Sequence, residues 1–322
     1  MKKALVIGLN SYPNGHKLLA CVNDATEVEK RLARHGNGDK NFDVISIKDT
    51  CSRENLKSAI DKCFADSADI ALFYFAGHGM LDSFGGHIVA TDNSNADLSL
   101  RDILDIVNNS KCKNKVVILD SCYSGAMGNP SSSTNTISIS NGVTILTACT
   151  QYQTSGEHRD GSHGIFTELL LAALDGEAAD LMGNITLGGI YAFIDKSLGA
   201  WEQRPVFKTN VTTFSPLRLV KPPIDIKILR NLSTYFENSE DQYILDPSYE
   251  YTNVTSVTHN IIEPYAIDKN VHIMKELQKL VRVGLVIPCD AEHMYDAAME
   301  SKSCQLTSVG KHYWRLSKNN RI

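Results

Sequence analysis

The chain has 322 residues, 43% apolar and 21% charged, a composition typical of a folded globular protein. Its formal net charge is −5, so nothing global favours nucleic acid or an anionic membrane as a partner. No apolar run approaches the ~18 residues that a membrane-spanning helix needs, and the short run after the first lysines does not reach the ~7–15 residues of a signal-peptide core. The eight cysteines form no CxxC pair. We therefore expect free thiols and a reduced, cytoplasmic setting.

The first two hundred residues alternate strand and helix patterns. Apolar runs of strand length occur at 4–9, 44–47, 69–79, 115–122 and 143–149. Helical spacing of apolar residues occurs between them, at 24–34, 53–64, 98–107 and 163–174. Fully apolar strands separated by helices predict an α/β fold, with a mostly parallel sheet covered by helices on both faces. Active sites in such folds form at the carboxyl ends of the strands.

Two of these predicted strands end in residues that can carry out chemistry. His78 follows one strand and Cys122 follows another. A thiol attacks a carbonyl group only as the thiolate, so it needs a neighbouring base, and histidine is the usual one. Gly79 lets the backbone approach a bound peptide, and the N–H groups of Gly79 and Cys122 can form an oxyanion hole. The sequence thus predicts His78 and Cys122 as a catalytic pair.

Six segments, in the same order along the chain, resemble the caspase–metacaspase superfamily. They are ALVIGLNSY, LLACVNDA, FYFAGHG, ILDSCYSG, HGIFTELLLAAL and QRPVF, and they span about residues 4–209. The interval between His78 and Cys122 is close to the ~50 residues that separate the pair in caspases. The resemblance implies a caspase-like fold and a cysteine endopeptidase. It assigns the general base and acid to His78 and the nucleophile, acylated during turnover, to Cys122.

The resemblance also implies which bond is cut. In metacaspases, aspartates at the positions of Asp24 and Asp120 form a pocket for arginine or lysine, and Cys21 matches the cysteine of that pocket. Two carboxylates attract a cation and repel a substrate carboxylate, so we predict cleavage after Arg or Lys. Thr150 and Gln151 follow a strand end where relatives bind peptide backbone, and we predict a contact there.

Plainer structural roles are the alternatives at these positions. Asp24 could only satisfy backbone donors at the start of a helix, Asp120 could only hold loop amides, and Cys21 could be a packed core thiol.

No cofactor is expected, and calcium is the one alternative. Metacaspases often need calcium, and Asp92 and Asp97 lie in the corresponding region, but their spacing matches no EF-hand loop. We predict no metal ligands among the site residues.

Activation by self-cleavage is not expected in the loop behind Cys122. Residues 126–141 contain no Lys, Arg, Asp or Glu, so neither a basic-residue-specific nor an aspartate-specific enzyme could cut there. Either the enzyme works as one chain, or it is cut elsewhere. Arg159 is the first candidate, followed by Arg218 and Lys221 in a predicted linker.

The predicted linker near 214–223 separates a peptidase domain, 1–220, from a smaller domain, 221–322. The smaller domain has a clear amphipathic helix at 271–283, then a strand and a helix, and resembles an α+β winged-helix module. Its acidic and basic residues roughly balance, so nucleic acid is not expected as a partner. A regulatory domain that docks an activating protein is the favoured role. The alternative is a caspase-like scaffold or adaptor whose winged-helix domain binds nucleic acid or protein.

Overall fold

The computed structural model describes residues 1–13, 17–83, 85–92, 97–127, 139–150, 153, 155–158, 160–199, 203–212 and 214–322. The chain divides into two compact units, Met1–Lys221 and Pro222–Ile322. Among the described residues, no helix is both long and apolar enough to cross a membrane.

The first unit is built from short strands and helices in alternation. Its strands are β1 (Lys2–Gly8), β2 (Asp43–Lys48), β3 (Ile70–Ala76), β4 (Gly79–Asp82), β5 (Gly85–Ile88), β6 (Leu98–Ser99), β7 (Asn114–Asp120), β8 (Val143–Thr147), β9 (Asn184–Ile185), β10 (Val206–Asn210) and β11 (Arg218–Leu219). Its helices are α1 (Cys21–Ala33), α2 (Arg53–Ala65), α3 (Leu100–Asn109), α4 (Ile165–Ala172) and α5 (Leu187–Ser197).

A six-stranded sheet forms the centre of this unit, in the order β10-β8-β7-β3-β1-β2. All its neighbours are parallel except β10, which runs antiparallel to β8. Successive side chains of a strand point to opposite faces, and every residue of β3 is buried because both faces are covered. Leu72 and Tyr74 pack with α1, α4 and α5, whereas Phe73 and Phe75 pack with α2 and α3. The predicted α/β fold with a mostly parallel sheet is confirmed.

The register of the two central strands sets the position of the site. Ala76, the last residue of β3, lies opposite Asp120, the last residue of β7. His78 and Cys122 each follow two residues beyond these strand ends. Two parallel neighbours in this register deliver both side chains to the same edge of the sheet.

The structure differs from the sequence prediction at the start of α4. The predicted helix covered 163–174, but α4 begins at Ile165, with Gly164 as its N-cap in an extended conformation. His163 and Gly164 therefore precede the helix and can bond to other elements.

The predicted linker is also wrong in part. Arg218 and Leu219 form β11, which pairs with β9. The guanidinium of Arg218 donates to the carbonyl groups of Arg34 and Leu174 and lies beside Asp175, and only 12% of the side chain is exposed. Arg218 is therefore not an exposed linker residue, and this burial disfavours it as a cleavage site.

The second unit has its own small antiparallel sheet. Its strands are β12 (Gln242–Ile244), β13 (Val286–Cys289) and β14 (Ser303–Leu306), in the order β12-β14-β13. Its helices are α6 (Ile226–Arg230), α7 (Leu232–Tyr235), α8 (Asp268–Arg282), α9 (Met294–Met299) and α10 (Ser308–Lys318). Fully buried side chains, including Leu229, Phe236 and Leu277, give this unit a core of its own. Its winged-helix character stays a prediction.

Candidate active site

The backbone of His78 is fixed from two sides. Its N–H donates to the Tyr12 hydroxyl at 3.0 Å, and its carbonyl accepts from the Val89 N–H at 2.9 Å. The centroids of the Tyr12 and His78 rings are 4.5 Å apart. A Cβ atom on Gly77 would lie 2.5 Å from the Tyr12 hydroxyl oxygen, so this approach requires glycine. The sequence contains Tyr12 in its first motif but gave no reason to assign it this supporting role.

Cys122 lies in a sharp turn directly after β7. The next residue, Tyr123, has a left-handed φ of 57°, and its N–H donates to the carbonyl of Gln153 at 3.0 Å. A 3-10 turn, Ser124–Ala126, follows. A Cβ atom on Gly79 would lie 2.2 Å from the Cys122 carbonyl oxygen, so Gly79 packs directly on the backbone of Cys122. The two residues predicted to supply an oxyanion hole are thus neighbours in space.

The thiol of Cys122 is half-buried, and its environment favours the protonated form. Burial raises its pKa above the ordinary value, and the negative charge of Asp120 adds to this, against a hydrogen bond to the backbone of Ser155 that lowers it. A thiol in this state needs a base to become nucleophilic.

One cavity brings most of the predicted residues together, and we call it the acidic cavity. It is lined by Leu18, Cys21, Asp24, Gly77, His78, Asp120, Ser121, Cys122, Ser155, Gly156, Glu157 and Gly164. Its volume is about 40 Å³, well below the ~300–1,000 Å³ of typical ligand pockets. The side chains of the protein itself therefore fill most of the space between the two predicted carboxylates and the catalytic pair.

Asp24 lies in the first turn of α1 and is only 1% exposed. Its Oδ1 atom is 2.6 Å from Nδ1 of His163, and its Oδ2 atom accepts from the Gly164 N–H at 3.0 Å. These contacts lie across the cavity rather than within α1. Burial raises the pKa of Asp24 to about 8, and the nearby charge of Asp120 contributes.

Asp120 is buried at the end of β7. Its Oδ1 atom accepts from the Ser155 hydroxyl at 2.5 Å and its Oδ2 atom from the Thr167 hydroxyl at 2.7 Å. Burial raises its pKa above the ordinary value. The backbone of Thr167 also bonds to this carboxylate. These donors and the donors to Asp24 come from residues 155–158 and 160–167, which we call the clamp segment.

Gly164 lies between the two carboxylates. A Cβ atom at this position would be 2.7 Å from Oδ2 of Asp120 and 3.3 Å from Oδ2 of Asp24. The close approach of both side chains therefore depends on the absence of a side chain at Gly164.

Glu157 is a third carboxylate in the cavity, and sequence reasoning missed it. It accepts from the N–H groups of Leu19 at 3.3 Å and Ala20 at 3.0 Å, and the thiol of Cys21 lies 3.7 Å from its Oε1 atom. Ala20 is the N-cap of α1 and has no side chain that could cap the helix itself. Glu157 supplies the missing acceptor from 137 residues away, and only a polar stretch marked it in the sequence.

Some predicted residues lie elsewhere. The Thr150 hydroxyl donates to Oε1 of Gln153 at 3.0 Å, and Thr150 is not part of the described lining of the acidic cavity. Gln151 and Arg159 lie outside the described residues. Cys21 is buried in the cavity wall and donates to Glu157, as a pocket or a packing residue could.

The region considered for calcium has a structural explanation in part. The Asp92 carboxylate accepts from the Arg53 N–H at the start of α2. Burial raises the pKa of Asp97. In the part of the chain that the structure describes, no group of three or more His, Cys, Asp or Glu side chains is placed to hold a metal ion. The prediction of no cofactor, and calcium as its alternative, both stay untested.

Comparisons with known proteins place this geometry in a family. Residues 1–214 match the family described as "Caspase domain". Over 144 residues the chain is 31% identical to metacaspase-4 of Arabidopsis thaliana, covering 39% of this chain and 34% of the relative. Metacaspase-6 of the same plant is also 31% identical over 144 residues, with 39% of each chain covered. The chain thus spans little more than a third of the length of these relatives.

A solved structure shares the fold. Caspase-1 from Spodoptera frugiperda superimposes with a TM-score of 0.52 and 15% identity, over 68% of this chain and 90% of that chain. At this identity the likeness concerns the fold alone.

Proposed function

Because this chain belongs to the caspase-domain family, we propose that it is a cysteine endopeptidase that cleaves proteins after arginine or lysine. The observation that carries the proposal is the acidic cavity, whose lining includes His78, Cys122 and the carboxylates of Asp24 and Asp120. Nucleophile, base and recognition groups therefore lie at one edge of the sheet.

The chemistry follows from the state of the thiol. His78 accepts the proton of Cys122 when substrate is bound, and the thiolate attacks the carbonyl carbon. The N–H groups of Gly79 and Cys122 donate to the oxyanion that forms, and His78 then protonates the leaving amine. A water molecule, deprotonated by His78, hydrolyses the thioester and regenerates the thiol. These steps draw on no cofactor.

The acidic cavity explains the proposed preference for a basic side chain. Asp24, Asp120 and Glu157 line one small cavity, and burial disfavours the ionised forms of Asp24 and Asp120. A guanidinium or ammonium group would restore the charge of the carboxylates and be attracted by them, whereas an aspartate side chain would be repelled.

Entry of that side chain requires the cavity to widen. Its present volume of about 40 Å³ cannot hold an arginine side chain. We expect Glu157 to be the side chain that moves. Its carboxylate accepts hydrogen bonds from the N–H groups at the N-terminus of α1, and the substrate cation can replace these N–H groups as its partner.

The second unit is proposed to regulate this peptidase by docking a protein partner. Support comes from its separate core and from its nearly balanced charges, which do not favour a polyanion.

The experiment that tests the proposed function uses two fluorogenic peptides that differ only in the residue before the scissile bond, Arg or Asp. We expect the full-length chain to cleave the Arg peptide and to leave the Asp peptide intact. Cys122→Ala should lose this activity while keeping its circular dichroism spectrum. Faster turnover of the Asp peptide would refute the proposed specificity, and full activity in Cys122→Ala would refute the mechanism.

A further inference from the structure

The turn that follows Cys122 is held from outside by strand β10. The ammonium group of Lys208, on this strand, donates to the carbonyl of Gly125 at 3.2 Å and to the carbonyl of Met127 at 2.7 Å. Both carbonyl groups belong to residues at or just after the 3-10 turn Ser124–Ala126. A side chain of the edge strand is therefore hydrogen-bonded to the backbone three to five residues after Cys122.

The turn needs such a donor. The last carbonyl groups of a short helical turn have no partner within the turn, and buried carbonyl groups require one. Gly125 and Met127 are both buried. A cation is favoured at the C-terminal end of a helical turn, and charge-assisted bonds are the stronger kind. Burial lowers the pKa of Lys208 to about 8.

Strand β10 forms further hydrogen bonds to this region through a second residue. Asn210 lies two residues beyond Lys208 on the same face of β10. Its side-chain amide donates to the carbonyl of Ile139 at 2.7 Å, and its backbone carbonyl accepts from the Gly142 N–H at 2.7 Å. Strand β10 therefore fixes the chain on both sides of the stretch between Met127 and Ile139.

That stretch carries no residue at which a peptidase of either specificity could cut. It contains no Lys, Arg, Asp or Glu. Because β10 forms hydrogen bonds to the described residues on either side of this stretch, the turn after Cys122 can keep its position without a cut there.

We propose that Lys208 is a positioning residue that holds the turn after Cys122 in its catalytic geometry in the uncut chain. The inference rests on the proposed peptidase function but concerns how the site is kept assembled. It implies that activity does not depend on cleavage between Met127 and Ile139.

Three variants of the full-length chain test this role. Lys208→Met keeps the aliphatic stem and removes the donors, and Lys208→Arg keeps donors and charge. Lys208→Gln, with a neutral donor, replaces Lys208→Met if that variant does not fold. The matched control is Thr209→Val, which removes one hydrogen bond of the same strand, between the hydroxyls of Thr209 and Thr144, and lies on the face of β10 opposite to Lys208.

The kinetic result expected is a loss in kcat. Misplacement of a reacting group by ~1 Å can cost ~10²-fold, so we expect Lys208→Met to lose about ten- to a hundredfold in kcat on the Arg peptide. KM should change little, Lys208→Arg should restore most of the rate, and Thr209→Val should match wild type. Mass spectrometry should show no cut between Met127 and Ile139 in any of these proteins. A wild-type kcat in Lys208→Met, or an equal loss in Thr209→Val, would overturn the proposal.

Amide hydrogen exchange separates this inference from the peptidase proposal. The N–H groups of Ala126 and Met127 are hydrogen-bonded within the turn, and the N–H of Tyr123 donates to the carbonyl of Gln153. They should exchange faster in Lys208→Met than in Thr209→Val, even if the wild-type chain cleaved no peptide at all. Equal exchange in the two variants would refute the positioning role, whereas inactivity of the wild type alone would refute only the proposed function.

Discussion

At the scale of single residues, the acidic cavity is dominated by carboxylates that are buried before any substrate arrives. The clamp segment holds Asp24 and Asp120 through two hydroxyl groups, the backbone of Gly164 and of Thr167, and the imidazole of His163. Burial keeps the pKa of both carboxyls raised. Burial of these carboxyl groups lowers the stability of the fold, and the pair attracts a cation. This combination is expected at a functional site, where function takes precedence over stability.

The raised pKa of Asp24 predicts how stability changes with pH. An unfolded aspartate ionises near pH ~3.9, whereas Asp24 in the folded chain ionises near pH 8. Between these values the folded chain holds a proton that the unfolded chain has lost, so this contribution to stability is lost as the pH rises through 8. Asp24→Asn cannot ionise, and its Tm should rise relative to wild type between pH 5 and pH 9, as measured by thermal unfolding.

Asp69 provides the control for this measurement. Hydrogen bonds from Lys113 and the N-terminal amine lower its pKa to about 2, so it stays ionised throughout this range. The Tm difference between Asp69→Asn and wild type should not vary from pH 5 to pH 7, whereas the difference for Asp24→Asn should already grow over this range. A pH-independent difference for Asp24→Asn as well would contradict the account of Asp24.

The position of Gly164 predicts a strong effect of one methyl group. Gly164→Ala places a Cβ atom against both carboxylates, so we expect a lower Tm and a fall of about tenfold or more in kcat/KM for the Arg peptide, equivalent to ~1.4 kcal/mol. Gly188→Ala is the matched control. The three atoms nearest to its Cβ would belong to the Phe214 ring, at ordinary distances of 3.6 Å or more, so this variant should neither lower the Tm nor reduce kcat/KM. Equal behaviour of the two variants would show that Gly164 carries no special constraint.

The residues that sequence reasoning found share a property. His78, Cys122, Asp24, Asp120 and Cys21 lie in short motifs, and the structure places all five in one cavity. Their catalytic and binding roles stay predictions. Ser155, Glu157 and His163 contribute as directly, but each contacts a partner far away in the sequence. No local pattern encodes such a pairing, because it depends on how the clamp segment crosses the sheet edge.

At the scale of elements, the N-terminus of helix α1 is capped by a residue from a distant part of the chain. Glu157 brings a negative charge to the N-terminus of α1, where the exposed N–H groups and the helix dipole favour it. The cap thereby ties the clamp segment to the helix that carries Asp24.

Removal of this cap should destabilise the first unit. Glu157→Ala leaves the N–H groups of Leu19 and Ala20 without their acceptor, and a lost cap typically costs ~1 kcal/mol. We expect a Tm lowered by ~2–4 °C in thermal unfolding. The control is Glu168→Ala, whose side chain is 56% exposed and lies beside His158, where an exposed pair contributes little. Equal Tm values for the two variants would contradict the capping role.

The strands that carry the site could be predicted because burial on both faces makes them continuous apolar runs. Strand β3 is buried throughout, and β7 nearly so. The two-residue strand β11 could not be predicted, because it exists only through pairing with β9. The start of α4 was misplaced by two residues because His163 suits a helix by its spacing, whereas its bond to Asp24 places it outside one.

At the scale of the whole molecule, the chain consists of two units with separate cores. The residues of the acidic cavity and of strand β10 all belong to Met1–Lys221. This division predicts that the first unit contains everything needed for chemistry.

A fragment of residues 1–221 should therefore fold by itself. We expect a single cooperative thermal transition, and cleavage of the Arg peptide at a rate that differs from the full-length rate if the second unit regulates it. Circular dichroism and peptide hydrolysis, applied to the fragment and to the full-length chain, measure this. Failure of the fragment to fold would contradict the independence of the first core. Identical rates for the fragment and the full-length chain would contradict regulation by the second unit in the absence of a partner.

The central claim is that Cys122 is the nucleophile of a peptidase that recognises a basic side chain. Incubation of the full-length chain with an arginyl chloromethyl ketone, followed by peptide mapping in a mass spectrometer, tests it most directly. The account predicts one covalent adduct, on Cys122, that is absent in His78→Ala and absent with the aspartyl analogue. No adduct on Cys122, or equal labelling by the arginyl and aspartyl reagents, would contradict it.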